Sequence, residues 1–144
     1  MASSEYVTLR PARDGDLKLL NAYNAQAGMD DMLDIAGVTV AVEKTDTPVG
    51  HIRIAYGDNG VAHVNPVVVY APWRGIGVGR ALMEDALERT GELRLIARGE
   101  SVPFYRALGF AEIPWEDIAP GVTDDCSACT WRDECSPVPM GRKS

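Results

Sequence analysis

The chain has 144 residues and a mass of 15.6 kDa, 46% hydrophobic and 24% charged, which bounds it to one globular domain and indicates neither a disordered nor a membrane class. Its net charge of −7 argues against a nucleic-acid backbone as partner, no apolar run approaches a membrane span, and the N-terminus lacks a basic-then-apolar leader. The expectation is therefore a cytoplasmic protein with neither nucleic acid nor membrane as partner.

Tyr6 to Arg10 alternates apolar and polar residues and predicts a first strand, stopped by Pro11-Ala12. Asp14 is placed to cap a helix whose apolar line runs through Leu17, Leu20 and Tyr23 and ends near Gly28. The acidic segment Met29 to Asp34 reads either as a solvated helix end or as an entrance whose carboxylates favour a cationic amine. Three strands follow, at Val38 to Glu43, Val49 to Tyr56 and Val61 to Tyr70. Asp46-Thr47-Pro48 and Asp58-Asn59-Gly60 supply hairpin turns between them. Pro66 cannot donate to a ladder, so a bulge is expected there.

Val67-Val68-Val69 ends the third of these strands at Ala71-Pro72. From Val78 onward the spacing is helical, with Val78, Leu82 and Ala86 on one line and Arg80, Glu84 and Glu88 on another. Between strand and helix lie Gly75, Gly77 and Gly79, with Arg74 in front. Glycine allows a close backbone approach, and a helix start offers unpaired N–H groups and a positive dipole end. Together they suit a phosphate, although a plain bend packing helix on strand is the alternative. The run is not a P-loop, because no Lys-Ser/Thr follows Gly79. Nor is it a dinucleotide fingerprint, since Arg80 or Leu82 occupies the third glycine position.

The same residues resemble the central motif of the GCN5-related N-acetyltransferase (GNAT) superfamily, Arg/Gln-x-x-Gly-x-Gly/Ala, at Arg74, Gly77 and Gly79. The resemblance implies a loop of Arg74, Gly75, Ile76, Gly77, Val78, Gly79 and Arg80 holding the pyrophosphate of acetyl-coenzyme A. It also implies that Val67, Val68 and Val69 pair with the pantetheine arm. A second signature lies downstream. Leu93 to Ala97 predicts a short strand in a strand–helix–strand unit, then Ser101 caps a short helix that Gly109 closes before a last strand, Phe110 to Ile113. Tyr105, Gly109 and Phe110 match the family's Tyr-x-x-x-Gly-Phe.

The chemistry implied is acyl transfer to an amine. By the resemblance Tyr105 is the general acid for the leaving thiolate, the alternative being a core aromatic. For the base, His63 shares a strand face with positions 65, 67 and 69 and titrates near neutrality; His51 on the neighbouring strand is a weaker candidate. A water chain could equally take the amine's proton.

The tail carries all three cysteines, Cys126, Cys129 and Cys135. Zinc would want a fourth ligand, a redox pair would want a strand–helix context, and reduced structural thiols are the third reading. No metal is assigned. The tail resembles that of short N-acetylglutamate synthase-type members, which hints at an amino-acid acceptor. The expectation is a mixed, curved α/β sheet flanked by helices, with a GNAT-like domain over residues 1–118 and a cysteine-containing tail over 119–144 packed on it. The cofactor slot would lie between the strands ending at Val69 and starting at Leu93. The function would be acetyl-coenzyme A-dependent N-acetylation of a small amine or amino acid, with homodimerisation left open. The alternative from another class is a non-catalytic acyl-coenzyme A-binding or metal- or redox-sensing module.

Overall fold

The computed structural model describes residues 6–120 and 136–144. The Cys126, Cys129 and Cys135 motif lies outside the described residues. The described elements form an α/β fold: β1 (Thr8–Pro11), α1 (Leu17–Gln26), β2 (Val38–Val42), β3 (Pro48–Tyr56), β4 (Ala62–Val69), α2 (Val78–Thr90), β5 (Glu92–Ala97), α3 (Val102–Ala107), β6 (Ala111–Glu112) and β7 (Val138–Lys143). Hydrogen-bonded neighbours run in the order β1-β2-β3-β4-β5-β7-β6, a mixed sheet of seven strands among the described residues. No helix among the described residues is long and apolar enough to cross a membrane.

The chain packs as two compact units, Met1–Ile54 with Pro66–Ala86 and Ala55–Asn65 with Leu87–Ser144. In the first, β1, β2 and β3 are antiparallel, with a register irregularity between Ala41 and Val42 opposite Pro48. Pro66 sits inside a continuous β4. Leu20, Tyr23, Met32, Val38, Val40, Val42 and Val68 form the core between α1 and the strands. The helix is also pinned by polar groups. Tyr23 donates to the Pro48 carbonyl at 2.8 Å, and His51 Nε2 meets Asn24 Oδ1 at 2.8 Å.

That second contact fixes a tautomer. Asn24 Nδ2 donates to the Asp30 carbonyl at 3.1 Å, so its Oδ1 faces His51, and His51 Nε2 must carry the hydrogen. The acidic segment is therefore not a helix. Asn21 and Asn24 clamp its backbone onto α1, Asn21 exchanging two hydrogen bonds with Met32, while Met32 enters the core. The helix start differs in detail as well. Asp16, not Asp14, accepts the Arg13 amide at 2.8 Å and pairs with Arg10 at 2.9 Å.

In the second unit β4 runs parallel to β5 with His63 opposite Arg94, and β7 inserts antiparallel between β5 and β6. β7 is a strand the sequence reading missed. Pro139 and Gly141 depress its strand propensity, but the pairing of Leu95 with Met140 and of Ile96 with Pro139 imposes it. Met140 is fully buried.

Asn24→Ala should leave the buried His51 Nε2–H without an acceptor. We expect a loss of about 1–3 kcal/mol in urea unfolding. An unchanged midpoint would show that the His51–Asn24 contact does not hold α1 on the sheet.

Candidate active site

The loop after β4 is built from its ends inward. The Tyr70 amide donates to the Val49 carbonyl at 2.8 Å, and the Tyr70 ring stacks on Tyr23 with centroids 4.9 Å apart. Ala71–Trp73 then makes a single 3₁₀ turn. Arg74 leaves that turn extended, and its Nε folds back to donate to the Val69 carbonyl at 3.0 Å. The strand end and the loop are thus tied by the arginine of the motif.

Gly75 and Gly77 have φ of +84° and +90°, in a region L side chains enter only with strain. A Cβ built on either would meet nothing within 4 Å. The glycines are therefore required by backbone conformation, and the space above them is open. Gly79, in contrast, lies within α2.

The first bond linking loop and helix runs from the Ala81 amide to the Gly77 carbonyl at 3.0 Å. Helix geometry leaves the amides before it, on Val78, Gly79 and Arg80, without intrahelical acceptors. No acidic residue occupies the first turn of α2 to compete for them. Exposed Arg74 and Arg80 add positive charge, Arg80 being held by Glu84 at 3.1 Å along the helix. Backbone amides and a helix dipole in this arrangement suit an anion.

What seats the helix beside β3 is Gly50, a residue the sequence reading passed over. A Cβ there would stand 3.1 Å from Val78 Cγ1 and 3.5 Å from Leu82 Cδ1, so its absence lets α2 dock. A glycine inside a strand was the available signal. Of the three valines, Val68 points into the α1 core, while Val67 and Val69 are half-buried on the other face. Ile76 is exposed in the loop.

The second unit holds Tyr105 and His63. Tyr105 packs edge-on against Phe104 at 5.1 Å and Phe110 at 5.9 Å, and its carbonyl accepts from both Leu108 and Phe110 at 3.0 Å, closing α3. Ser101 stands at the start of that helix without a side-chain cap bond, so the helix relies on Pro103 in its first turn and on packing. The Tyr105 ring is buried, and burial pushes its pKa up to about 12. Its hydroxyl makes no hydrogen bond among the described residues. The one fully buried side-chain nitrogen or oxygen lacking a partner among them is His51 Nδ1.

The two candidate histidines both lie in the interior. His63 is fully buried, with Nδ1 against the Val61 carbonyl at 2.8 Å and Nε2 accepting the Ala119 amide at 3.1 Å. Both ring nitrogens are engaged. His51 is also fully buried, and burial pushes its pKa down to about 4. Among the described residues no three His, Cys, Asp or Glu side chains converge as a metal set.

A family model for an acetyltransferase (GNAT) domain matches residues 15–123, most of the chain. The chain belongs to the GNAT acetyltransferase family. Solved structures share the fold at low identity. Naa50 of Arabidopsis thaliana, in complex with the bisubstrate analogue CoA-Ac-MVNAL, is 21% identical with a TM-score of 0.66, over 96% of this chain and 99% of that one. Ard1 of Thermoplasma volcanium is 19% identical with a TM-score of 0.71, over 96% and 97%. N-acetylglutamate synthase of Neisseria gonorrhoeae, complexed with coenzyme A and N-acetyl-glutamate, is 12% identical with a TM-score of 0.72, over 98% of this chain but 36% of that one. No curated protein matches the chain.

Gly77→Asp brings left-handed strain and a negative charge, like that of a phosphate, to the amide cluster. Acetyl-coenzyme A binding should fall below detection in titration calorimetry while thermal unfolding stays cooperative. Equal affinity in mutant and parent would remove the loop from cofactor binding.

Proposed function

We propose that the chain transfers the acetyl group of acetyl-coenzyme A to the amine of a small molecule or amino acid, by direct attack in a ternary complex. The family membership supports acetyl transfer, and the coenzyme A ligands of the structural neighbours support the donor. Arg74, Gly75, Ile76, Gly77, Val78, Gly79 and Arg80 would hold the pyrophosphate, with Val67 and Val69 beside the pantetheine arm and Val68 contributing backbone only.

The observation that carries the catalytic reading is the Tyr105 phenol, fixed by two aromatic neighbours, free of hydrogen bonds among the described residues and protonated at any neutral pH. The amine nitrogen attacks the thioester carbonyl, the carbon–sulfur bond breaks, and Tyr105 donates toward the departing sulfur. The thiol thus keeps the Tyr105 proton; of the two protons an ammonium substrate surrenders, one returns to the Tyr105 oxygen and one passes to solvent. We assign the amine's deprotonation to water rather than to His63, because neither ring nitrogen of His63 is open. His51 is excluded from that role by burial away from solvent and by a pKa too low for an effective base at neutral pH.

The acceptor is argued from charge. A net charge of −7 and the exposed Asp30, Asp31 and Asp34 raise the local concentration of cationic amines. The N-acetylglutamate synthase neighbour keeps an amino-acid acceptor within the proposal.

Tyr105→Phe keeps the ring and removes one oxygen. With an amine panel and thiol release as the readout, kcat should fall by about 100-fold with cofactor affinity little changed. An unchanged rate at saturating acceptor would show that the leaving thiolate needs no acid here. Cofactor binding without thiol release from any amine would favour a sensor over an enzyme.

A further inference from the structure

The two hydrogen bonds of His63 have a defined polarity. The Val61 carbonyl can only accept, so Nδ1 carries the hydrogen, and Nε2 presents a bare lone pair to the Ala119 amide. A second side chain holds the same segment. Arg94, opposite His63 in the β4–β5 pairing, donates from Nη1 to the Asp117 carbonyl at 2.7 Å. The segment also lies hard on the hairpin between β3 and β4, where a Cβ on Gly57 would overlap that of Ala119 and come within 3.4 Å of His63 Cε1. Residues 117–119 are thus fastened at two points, one titratable and one permanently charged.

We propose that His63 is a pH-operated latch that holds the backbone of residues 117–119 on the β3–β4 hairpin at neutral pH and releases it in mild acid. A second proton on the ring would aim Nε2–H at the Ala119 N–H, two donors with no acceptor between them, and would bury a charge in a site with no solvent contact. The bond must then break. The charged groups acting on the ring come from β5: Arg94 opposes the imidazolium and Glu92 favours it. The hairpin and the 117–119 segment meet the ring through backbone, at Val61 and Ala119. Burial is the largest influence and holds the ring below its usual pKa of 6.5. The sign follows. The latch contributes fully above that ordinary value and is lost as pH falls through the lower value of the folded state.

Residue-resolved amide exchange on the intact protein tests this. The protection factor of Ala119, corrected for intrinsic exchange, should fall about tenfold or more between about pH 7.5 and pH 5, while Leu93 and Leu95 of β5 keep theirs. In His63→Gln, whose amide oxygen accepts without titrating, Ala119 protection should not vary with pH. Constant protection in the parent overturns the latch. So does the same fall in His63→Gln, or a fall shared with Leu93 and Leu95. If the variant does not fold, ¹⁵N titration of the His63 ring in the parent decides: a midpoint matching the loss of Ala119 protection supports the latch, and a separate midpoint refutes it.

Discussion

The structure hangs on two consecutive departures into the left-handed region, at Gly75 and Gly77, between a strand and a helix. They turn the chain so that α2 starts with no acidic residue in its first turn to compete for its leading amides. Several contacts of the first unit support that placement. Arg74 locks the loop onto Val69, Tyr70 is held by Val49 and Tyr23, and Gly50 gives up its side chain so that Val78 and Leu82 can lie on β3. A helix N-terminus carries about half a unit of positive charge, so its usefulness depends on position more than on strength.

Burial fixes the charge state of Tyr105 and of both histidines. Desolvation raises the Tyr105 phenol, which secures its proton, and lowers both histidines, which secures their neutrality. A neutral imidazole with two hydrogen bonds is a joint between segments. His51 joins β3 to α1 through Asn24, and His63 joins the β3–β4 hairpin to Ala119. Each ring's tautomer is dictated by a carbonyl that can only accept: Asp30 acting through Asn24, and Val61 directly.

Periodicity and turn residues made most elements legible, because β1 to β4, α2 and β5 owe their form to local pattern. The family motifs drew attention to the loop and to Tyr105. What stayed hidden depends on contacts distant in sequence. β7 is a strand only because β5 and β6 flank Pro139 and Gly141. The acidic segment follows Asn21 and Asn24 rather than its own propensity. His63 looked like an open base because a strand face says nothing of Ala119, which is 56 residues away.

We propose that the Gly75–Arg80 backbone is the cofactor's phosphate site. Amide chemical shifts of ¹⁵N-labelled protein during titration with acetyl-coenzyme A test it most directly, since hydrogen bonding to an anion moves the amides that donate. The largest saturable shifts should fall on Gly77, Val78, Gly79 and Arg80. Saturable binding whose largest shifts lie elsewhere, with these four amides unmoved, would contradict it.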